Sequence, residues 1–127
     1  MNAPCALALA EYERGRSLLA DGDLPGAIAR LEASVAAYPH FKAFELLGEA
    51  WLRSGEPLRA IAPLAAATTL NGQVRAPSLL AEALLAAGDH LKAHEIAKLA
   101  LGRDPNNRKA RAVFDATDAV YRQQNPS

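Results

Sequence analysis

Residues 46–71 read LLGEAWLRSGEPLRAIAPLAAATTLN and give the clearest indication of how this chain folds. Apolar residues recur at helical spacing on both sides of Gly55, a pattern that predicts two helices joined at that glycine. Trp51, the single tryptophan of the chain, falls on the first of the two. Each helix carries an apolar stripe that one isolated hairpin cannot bury. The same pattern is therefore expected again before and after this stretch.

The sequence repeats with a constant period, which is the spacing from Gly22 to Gly55 and again from Gly55 to Gly88. Each of these glycines is followed by an acidic residue, and alanine comes at the fifth position after each. The other positions that keep the period are Gly15, Gly48 and Ala81; Leu18, Trp51 and Leu84; Leu31, Leu64 and Ala97; and Ser34, Ala67 and Ala100. Because a small residue can receive a bulky side chain from a neighbouring helix, each unit is predicted to be a closely packed helical hairpin.

The repeated residues resemble the pattern of the tetratricopeptide repeat family. In unit 2 the pattern is carried by Leu47, Gly48, Trp51, Gly55, Ala60, Leu64 and Ala67. The period here is one residue shorter than that of the family and equals the ankyrin period, but the ankyrin signature Thr-Pro-Leu-His is absent. The resemblance implies an all-α fold, a right-handed superhelical array of antiparallel helical hairpins with seven helices.

The same resemblance implies a single domain over residues 1–127. Its repeats are expected at about residues 8–40, 41–73 and 74–107, with a capping helix at about 108–122. The apolar stripe of that last helix consists of Ala110, Val113, Phe114, Thr117 and Tyr121. An amphipathic helix of this kind covers the open flank of the last unit. Gly72 replaces the proline that closes units 1 and 3 and is expected to end its helix with a positive φ.

Composition and charge exclude several classes of partner and setting. The formal net charge is zero, so the positive field that attracts nucleic acid is missing. Cys5 is the only cysteine, which excludes an intramolecular disulfide and suits a reducing cytoplasm. The apolar start, Met1–Ala10, lacks the basic residues of a signal peptide and is interpreted as part of the first helix. The longest uncharged run, Ala60–Val74, is too short to span a bilayer, so no membrane insertion is expected.

By resemblance to the family, the first helices line a concave groove that binds a segment of another protein. The residues expected to face this groove are Leu9, Tyr12, Arg16 and Leu19; Lys42, Glu45, Glu49 and Leu52; and Arg75, Ser78, Glu82 and Leu85. Mixed charges beside an apolar strip favour an amphipathic partner. Family members that hold a C-terminal carboxylate use a cluster of Lys, Arg and Asn, whereas this chain has Tyr12, Glu45 and Ser78 at the fifth places and Arg16, Glu49 and Glu82 at the ninth, so such a clamp is not expected. The strip of Leu19, Leu52 and Leu85 either lines the groove or belongs to the core, since leucines at helical spacing are often core.

Motifs that indicate catalysis, a cofactor or a metal site are missing from the sequence. The patterns G-x-x-x-x-G-K, H-E-x-x-H and G-x-S-x-G do not occur. His90 and His94 could share one face of a helix, but two histidines without a third ligand are a weak metal signal. His94 occupies the repeat position of Ile28 and Ile61 and is expected to be a partly packed surface residue. We therefore expect no enzyme, no cofactor and no bound metal.

The expected function is a non-catalytic, cytoplasmic interaction module that binds a peptide or helical segment of a partner protein. Two alternatives are left open. One is a small chaperone or adaptor of a bacterial secretion or assembly system. The other is a self-associating structural scaffold, a weak homo-oligomer formed through the outer face of Ala62, Ala65 and Ala66, where only Arg59 is charged.

Overall fold

The computed structural model describes residues 2–126, which form seven α-helices and no strand. The helices are α1 (Ala3–Ala20), α2 (Leu24–Ala37), α3 (Phe41–Arg53), α4 (Pro57–Leu70), α5 (Arg75–Ala86), α6 (His90–Arg103) and α7 (Arg108–Gln124). The Asn2 side chain caps α1 by accepting a hydrogen bond from Cys5 N at 2.9 Å. Met1, predicted to belong to this helix, and Ser127 lie outside the described residues.

The three hairpin turns share one backbone geometry. Gly22, Gly55 and Gly88 have φ angles of 84°, 76° and 88°. In the first turn Gly22 N donates to Leu19 O at 3.1 Å and Asp23 N donates to Leu18 O at 2.9 Å. The other two turns contain the same pair of bonds. This pair defines a Schellman motif, in which the residue after the helix is left-handed and glycine avoids the steric cost. The regular recurrence of glycine in the sequence is therefore the recurrence of one turn.

The acidic residue after each turn glycine caps the second helix in two of the three hairpins. Asp23 Oδ1 accepts from Gly26 N at 3.0 Å, and Asp89 Oδ1 accepts from Lys92 N at 3.1 Å. The Glu56 side chain makes no capping bond to α4. Its longer side chain is not a favoured N-cap, and α4 begins instead with a proline, whose fixed φ suits the first helical position.

Close packing within a hairpin depends on glycines in the first helix. A Cβ added to Gly15 would lie 2.7 Å from Leu31 Cγ, and one added to Gly48 would lie 2.3 Å from Leu64 Cγ. Both leucine side chains are completely buried. The predicted contact of a small residue with a bulky one is therefore present, and it fixes how closely the two helices approach.

Two clusters of buried apolar residues form the core, one centred on units 1 and 2 and one on units 2 and 3. Trp51 is half-buried and packs against both clusters. The guanidinium of Arg59 lies 5.1 Å from the centre of its ring, within reach of a cation–π interaction. Trp51 therefore joins the two parts of the core.

The link between α4 and α5 differs from the prediction made for Gly72. Within residues 2–126, the only glycines with positive φ are those of the three hairpin turns. α4 ends because Asn71 is extended, and Asn71 Oδ1 accepts from Gln73 N at 2.8 Å. Arg103, at the end of α6, donates to the backbone oxygens of Thr68, Asn71 and Gln73 at 3.2, 3.0 and 2.9 Å. The positive φ predicted for Gly72 is wrong, because these side chains satisfy the carbonyls that such a turn would otherwise cap.

α7 packs against α5 and α6 and covers His94. His94 is 2% exposed, and its ring stacks on Tyr121 and Phe114 at centroid distances of 4.0 and 4.5 Å. Its Nδ1 lies 3.0 Å from Thr117 Oγ1. Because the Thr117 hydroxyl donates to Val113 O at 2.8 Å, we assign the shared proton to the His94 nitrogen. The prediction of a partly packed surface histidine is wrong, since the aromatic rings of α7 enclose it.

Candidate functional site

The first helices of the hairpins lie next to one another and form a continuous face, which we call the groove. α3 contacts α1 and α5, and α5 contacts α7. The side chains predicted to face a partner therefore come from adjacent helices. Their burial and their contacts determine which of them a partner can reach.

The α1 end of the groove is built around Tyr12. The Tyr12 ring is half-buried and meets the His40 ring edge to face, with centroids 5.6 Å apart. Burial raises the pKa of the Tyr12 phenol above its ordinary value. Burial also lowers the pKa of His40, and the nearby charge of Lys42 acts in the same direction. Leu9 is exposed and lines a small hollow of about 220 Å³ together with His40.

Two of the predicted cations at this end are exposed to solvent. Arg16 pairs with Glu13 on its own helix at 3.1 Å, an exposed contact between residues one turn apart. Lys42 is exposed at the start of α3. An exposed pair of this kind contributes little to stability, so both side chains can reorient toward a partner.

Arg75 lies at the centre of the groove and joins α5 to α3. Its Nη1 donates to Glu45 Oε1 at 2.9 Å, and its Nη2 donates to Glu49 Oε1. Arg53 Nη1 approaches Glu49 Oε2 at 3.7 Å. Burial by itself lowers the pKa of Arg75, but its hydrogen bonds and charge interactions with the two glutamates are stronger in sum and raise it. Arg75 is therefore held by two carboxylates from the neighbouring helix.

A hollow of about 350 Å³ lies beside this network, between α3, α5 and the start of α7. Its lining consists of Glu49, Leu52, Arg53, Arg75, Ser78, Leu79, Glu82 and Lys109. Five of these were predicted for the groove, namely Glu49, Leu52, Arg75, Ser78 and Glu82. The structure therefore brings most of the predicted residues of units 2 and 3 around one depression.

Of the three leucines in the predicted strip, Leu19 belongs to the core, whereas Leu52 and Leu85 are partly accessible from the groove. Leu19 is 4% exposed and belongs to the core of units 1 and 2. Leu52 and Leu85 are half-buried and pack partly against the other core cluster, and Leu52 also lines the hollow. Ser78 is buried, and its hydroxyl donates to Arg75 O at 2.8 Å. Leu19 therefore has a structural role, and the Ser78 hydroxyl is already engaged.

Three residues that line the hollow were not predicted from the sequence: Arg53, Leu79 and Lys109. Lys109 belongs to α7, which was assigned only a capping role, and its Nζ lies 3.5 Å from Glu82 Oε1. The sequence contains a signal that could have indicated Lys109. One further repeat period from Arg75 leads to Arg108, the residue before Lys109, so α7 begins in the register of a fourth first helix.

The two histidines of α6 lie in different surroundings. His90 begins α6, and its Nδ1 lies 3.1 Å from Gly88 O. Across residues 2–126 no group of three His, Cys, Asp or Glu side chains is arranged to hold a metal ion. In the same part of the chain, no helix combines the length and apolar character needed to cross a membrane.

Residues 12–74 match the tetratricopeptide repeat family. These residues, which comprise most of units 1 and 2, belong to this family. None of the curated protein sequences matches it.

Several solved structures share this architecture at low sequence identity. The first tetratricopeptide repeat domain of Spaghetti (RPAP3), bound to the HSP90 peptide SRMEEVD, has a TM-score of 0.84 and 21% identity, covering 91% of this chain and 94% of that one. The second such domain of human RPAP3, in complex with the HSP70 peptide SGPTIEEVD, has a TM-score of 0.85 and 19% identity, covering 91% and 98%. MamA (MSR-1 C2) has a TM-score of 0.81 and 20% identity, covering 99% and 75%. The predicted fold, an all-α superhelical array of hairpins with seven helices over residues 2–126, is confirmed.

Proposed function

We propose that this protein is a non-catalytic interaction module that holds a peptide or a short helix of a partner protein in the groove. The observation that carries the proposal is the convergence of side chains from α3, α5 and α7 around one hollow. A depression built from several elements and lined by apolar and charged groups is the usual form of a binding site.

The surface chemistry of the groove favours an amphipathic partner. Leu52 and Leu79 supply apolar contact, while the Arg75 network places charges of both signs beside them. Two of the structural relatives are complexes with short peptides. Their fold is shared by this chain, and peptide binding is part of our proposal for it. We place the protein in the cytoplasm, where its single cysteine stays reduced.

A role as a small chaperone or adaptor of an assembly system would be one use of the same groove. Self-association as a scaffold would use a different surface. Leu58, 72% exposed, extends the face of Ala62 and Ala65, both of which are also exposed on α4. Exposed apolar surface of this kind often marks an interface, and it is the observation that favours the scaffold as a second candidate.

The groove is tested by combining Tyr12→Ala with Glu49→Lys and measuring capture of peptides from a displayed random library. We expect a loss of at least about tenfold in affinity for the selected peptides, roughly 1.4 kcal/mol. Tyr12 loses a rigid aromatic surface, and the Glu49 substitution removes the carboxylate that holds Arg53 and Arg75 in position beside the hollow. Circular dichroism of the same variant should retain its helical signal.

The matched control is Glu32→Lys, which makes the same charge reversal at an exposed position of α2. This variant should capture the selected peptides like the unmodified protein. If the groove variant also captures them with unchanged affinity, the partner binds elsewhere and the groove assignment fails.

A further inference from the structure

The charged side chains around the hollow are arranged at two depths. The side chains of Arg53, Arg75 and Lys109 are 45%, 46% and 59% exposed. The carboxylates paired with them, Glu45, Glu49 and Glu82, are 14%, 23% and 37% exposed. An approaching partner therefore meets the cations first, although the group as a whole carries no net charge.

The three cations differ in how far their donors are already used. Arg75 makes hydrogen bonds to both Glu45 and Glu49. Among the described residues, Arg53 has only a 3.7 Å contact with Glu49 and a 3.4 Å bond to Leu19 O. A guanidinium has five N–H donors, so most of those on Arg53 are free for a partner.

Lys109 is similarly underused on the other side of the hollow. Within residues 2–126 its one acceptor is Glu82 Oε1 at 3.5 Å, the limit of a hydrogen bond, and an ammonium has three donors. Lys109 belongs to α7 and Arg53 to α3, while the side chains between them come from α5. The two least satisfied cations thus lie on different helices around the same depression.

The floor between these cations is apolar. Leu79 is buried and Leu52 is half-buried, and the Ser78 hydroxyl is engaged with Arg75 O. A volume of about 350 Å³ is at the small end of ligand pockets, which run from roughly 300 to 1,000 Å³. The hollow therefore suits a single anchoring side chain better than a larger ligand.

We propose, building on the proposed function, that the hollow receives one apolar side chain of an acidic partner helix and that Arg53 and Lys109 each bind a side-chain carboxylate of that helix, one on either side of the anchor. On a helix, residues three or four apart share a face, so a Leu with one Glu a turn before it and another a turn after it can reach the floor and both sides of the rim together. Charge-assisted hydrogen bonds to a carboxylate are stronger than neutral ones, so the cations at the rim of the hollow favour an acidic partner.

A side-chain carboxylate fits this site better than the carboxylate at the end of a chain. Arg75, the cation with the firmest position, is already held by Glu45 and Glu49, and a terminal carboxylate placed there would be repelled by both. The free donors lie on two sides of an open depression, so the partner chain can continue in both directions past the anchor.

The test uses short synthetic helical peptides with a fluorescent label, acetylated and amidated at their ends, measured by fluorescence anisotropy. One probe carries Leu with one Glu a helical turn before it and another a turn after it. A second has Lys in place of both Glu, and a third has Ala in place of Leu. A fourth, the one probe left unamidated, has Gln in place of both Glu and a free C-terminal carboxylate. We expect the first probe to bind at least about tenfold more tightly than each of the others.

The protein variants are Arg53→Gln and Lys109→Gln, with Lys98→Gln on α6 as the matched control. All three side chains are exposed, and circular dichroism establishes that each variant is folded. Each of the first two should weaken binding of the acidic probe about tenfold, and the control should leave it unchanged. Equal binding of the lysine probe, or unchanged binding by the combined Arg53→Gln and Lys109→Gln variant, overturns the proposal.

Two further outcomes show which carboxylate is bound and whether this inference can fail while the proposed function stands. If the probe with the free terminus binds as tightly as the acidic one, the carboxylate recognised is that of a chain end and the proposal fails. If no probe binds while library peptides still depend on Tyr12 and Glu49, this inference fails and the proposed function stands.

Discussion

At the level of single residues, facing positions of the hairpins vary together in size. Their pairs, by the repeat period, are Gly15 with Leu31, Gly48 with Leu64, and Ala81 with Ala97. All six positions are buried. Because interiors are packed to a nearly constant density, a glycine on the first helix permits a leucine on the second, whereas an alanine goes with an alanine.

The substitution Gly48→Ala should therefore destabilise the protein. The new Cβ would lie 2.3 Å from Leu64 Cγ, and relieving that overlap moves a fully buried side chain. We expect the free energy of unfolding to fall by about 1–3 kcal/mol, as for other overpacked cores. This change in the free energy of unfolding is measured by urea denaturation, monitored through Trp51 fluorescence.

The matched control is Gly102→Ala near the end of α6, where an added Cβ meets no atom within 4 Å. This variant should be more stable by about 0.5–1 kcal/mol, because alanine favours the helix over glycine. The cost of Gly48→Ala should also shrink when Leu64 is replaced by alanine. An equal cost in both backgrounds would show that the facing side chain is not its cause.

At the level of the helix, the attachment of α7 depends on a buried imidazole. The charged groups near His94 are Glu95 and Lys98 on α6 and Asp118 and Arg122 on α7, two of each sign. Burial is the largest influence, and it lowers the pKa of His94 below its ordinary value of 6.5. The charges oppose one another and do not reverse this direction.

The sign of the pH dependence follows from this shift. The unfolded chain takes up a proton on His94 more readily than the folded chain, so the stabilising effect of the neutral ring is complete above about pH 6.5. It should be lost as the pH falls below that value toward the lower pKa of the folded state. His40, whose pKa is also lowered, contributes in the same direction.

His94→Ile, which restores the residue type found at the same repeat position in units 1 and 2, should reduce this acid sensitivity. We expect the free energy of unfolding of the variant to fall less between about pH 7.5 and about pH 5 than that of the unmodified protein, by denaturation at each pH. His90→Gln, an exposed control on the same helix, should match the unmodified protein. Equal pH profiles for His94→Ile and the unmodified protein would contradict the assignment.

The helices and turns could be predicted from the sequence far better than the contacts between units. Gly22, Gly55 and Gly88 recur because a local turn geometry recurs, and local geometry is what a period records. Arg103 reaches the end of α4 from the end of α6, and the enclosure of His94 depends on rings from α7. Such contacts join side chains that do not repeat.

The candidate site could likewise be predicted only in part from the sequence. The family pattern placed Glu49, Glu82 and Leu52 on the first helices, and these residues line the hollow. It did not reveal that Glu45 and Glu49 would both pair with Arg75, nor that α7 would supply Lys109. Pairing between side chains depends on the stagger of neighbouring helices, which the spacing of residues along one helix does not specify.

At the level of the whole molecule, contacts run only between neighbours. Over residues 2–126, no helix contacts another that lies more than two helices away along the chain. Folding of such an array depends on local contacts and on the interfaces between successive units.

Sedimentation velocity distinguishes the interaction module from the self-associating scaffold. The interaction module is expected to remain a monomer across a wide range of protein concentration, and Ala62→Glu should sediment like the unmodified protein. Ala33→Glu, an exposed change on α2, is the matched control. Concentration-dependent association that Ala62→Glu alone abolishes would favour the scaffold instead.

The shared turn at Gly22, Gly55 and Gly88 has a consequence for how such proteins grow. Because each hairpin closes in the same way and touches only its neighbours, an in-frame duplication of the codons for one unit would add a hairpin whose turn and internal packing are already specified. The new copy would lengthen the binding surface by one more helix. A gene of this kind can thus extend the binding surface of its product by recombination, before point mutations adapt the added helix to a partner.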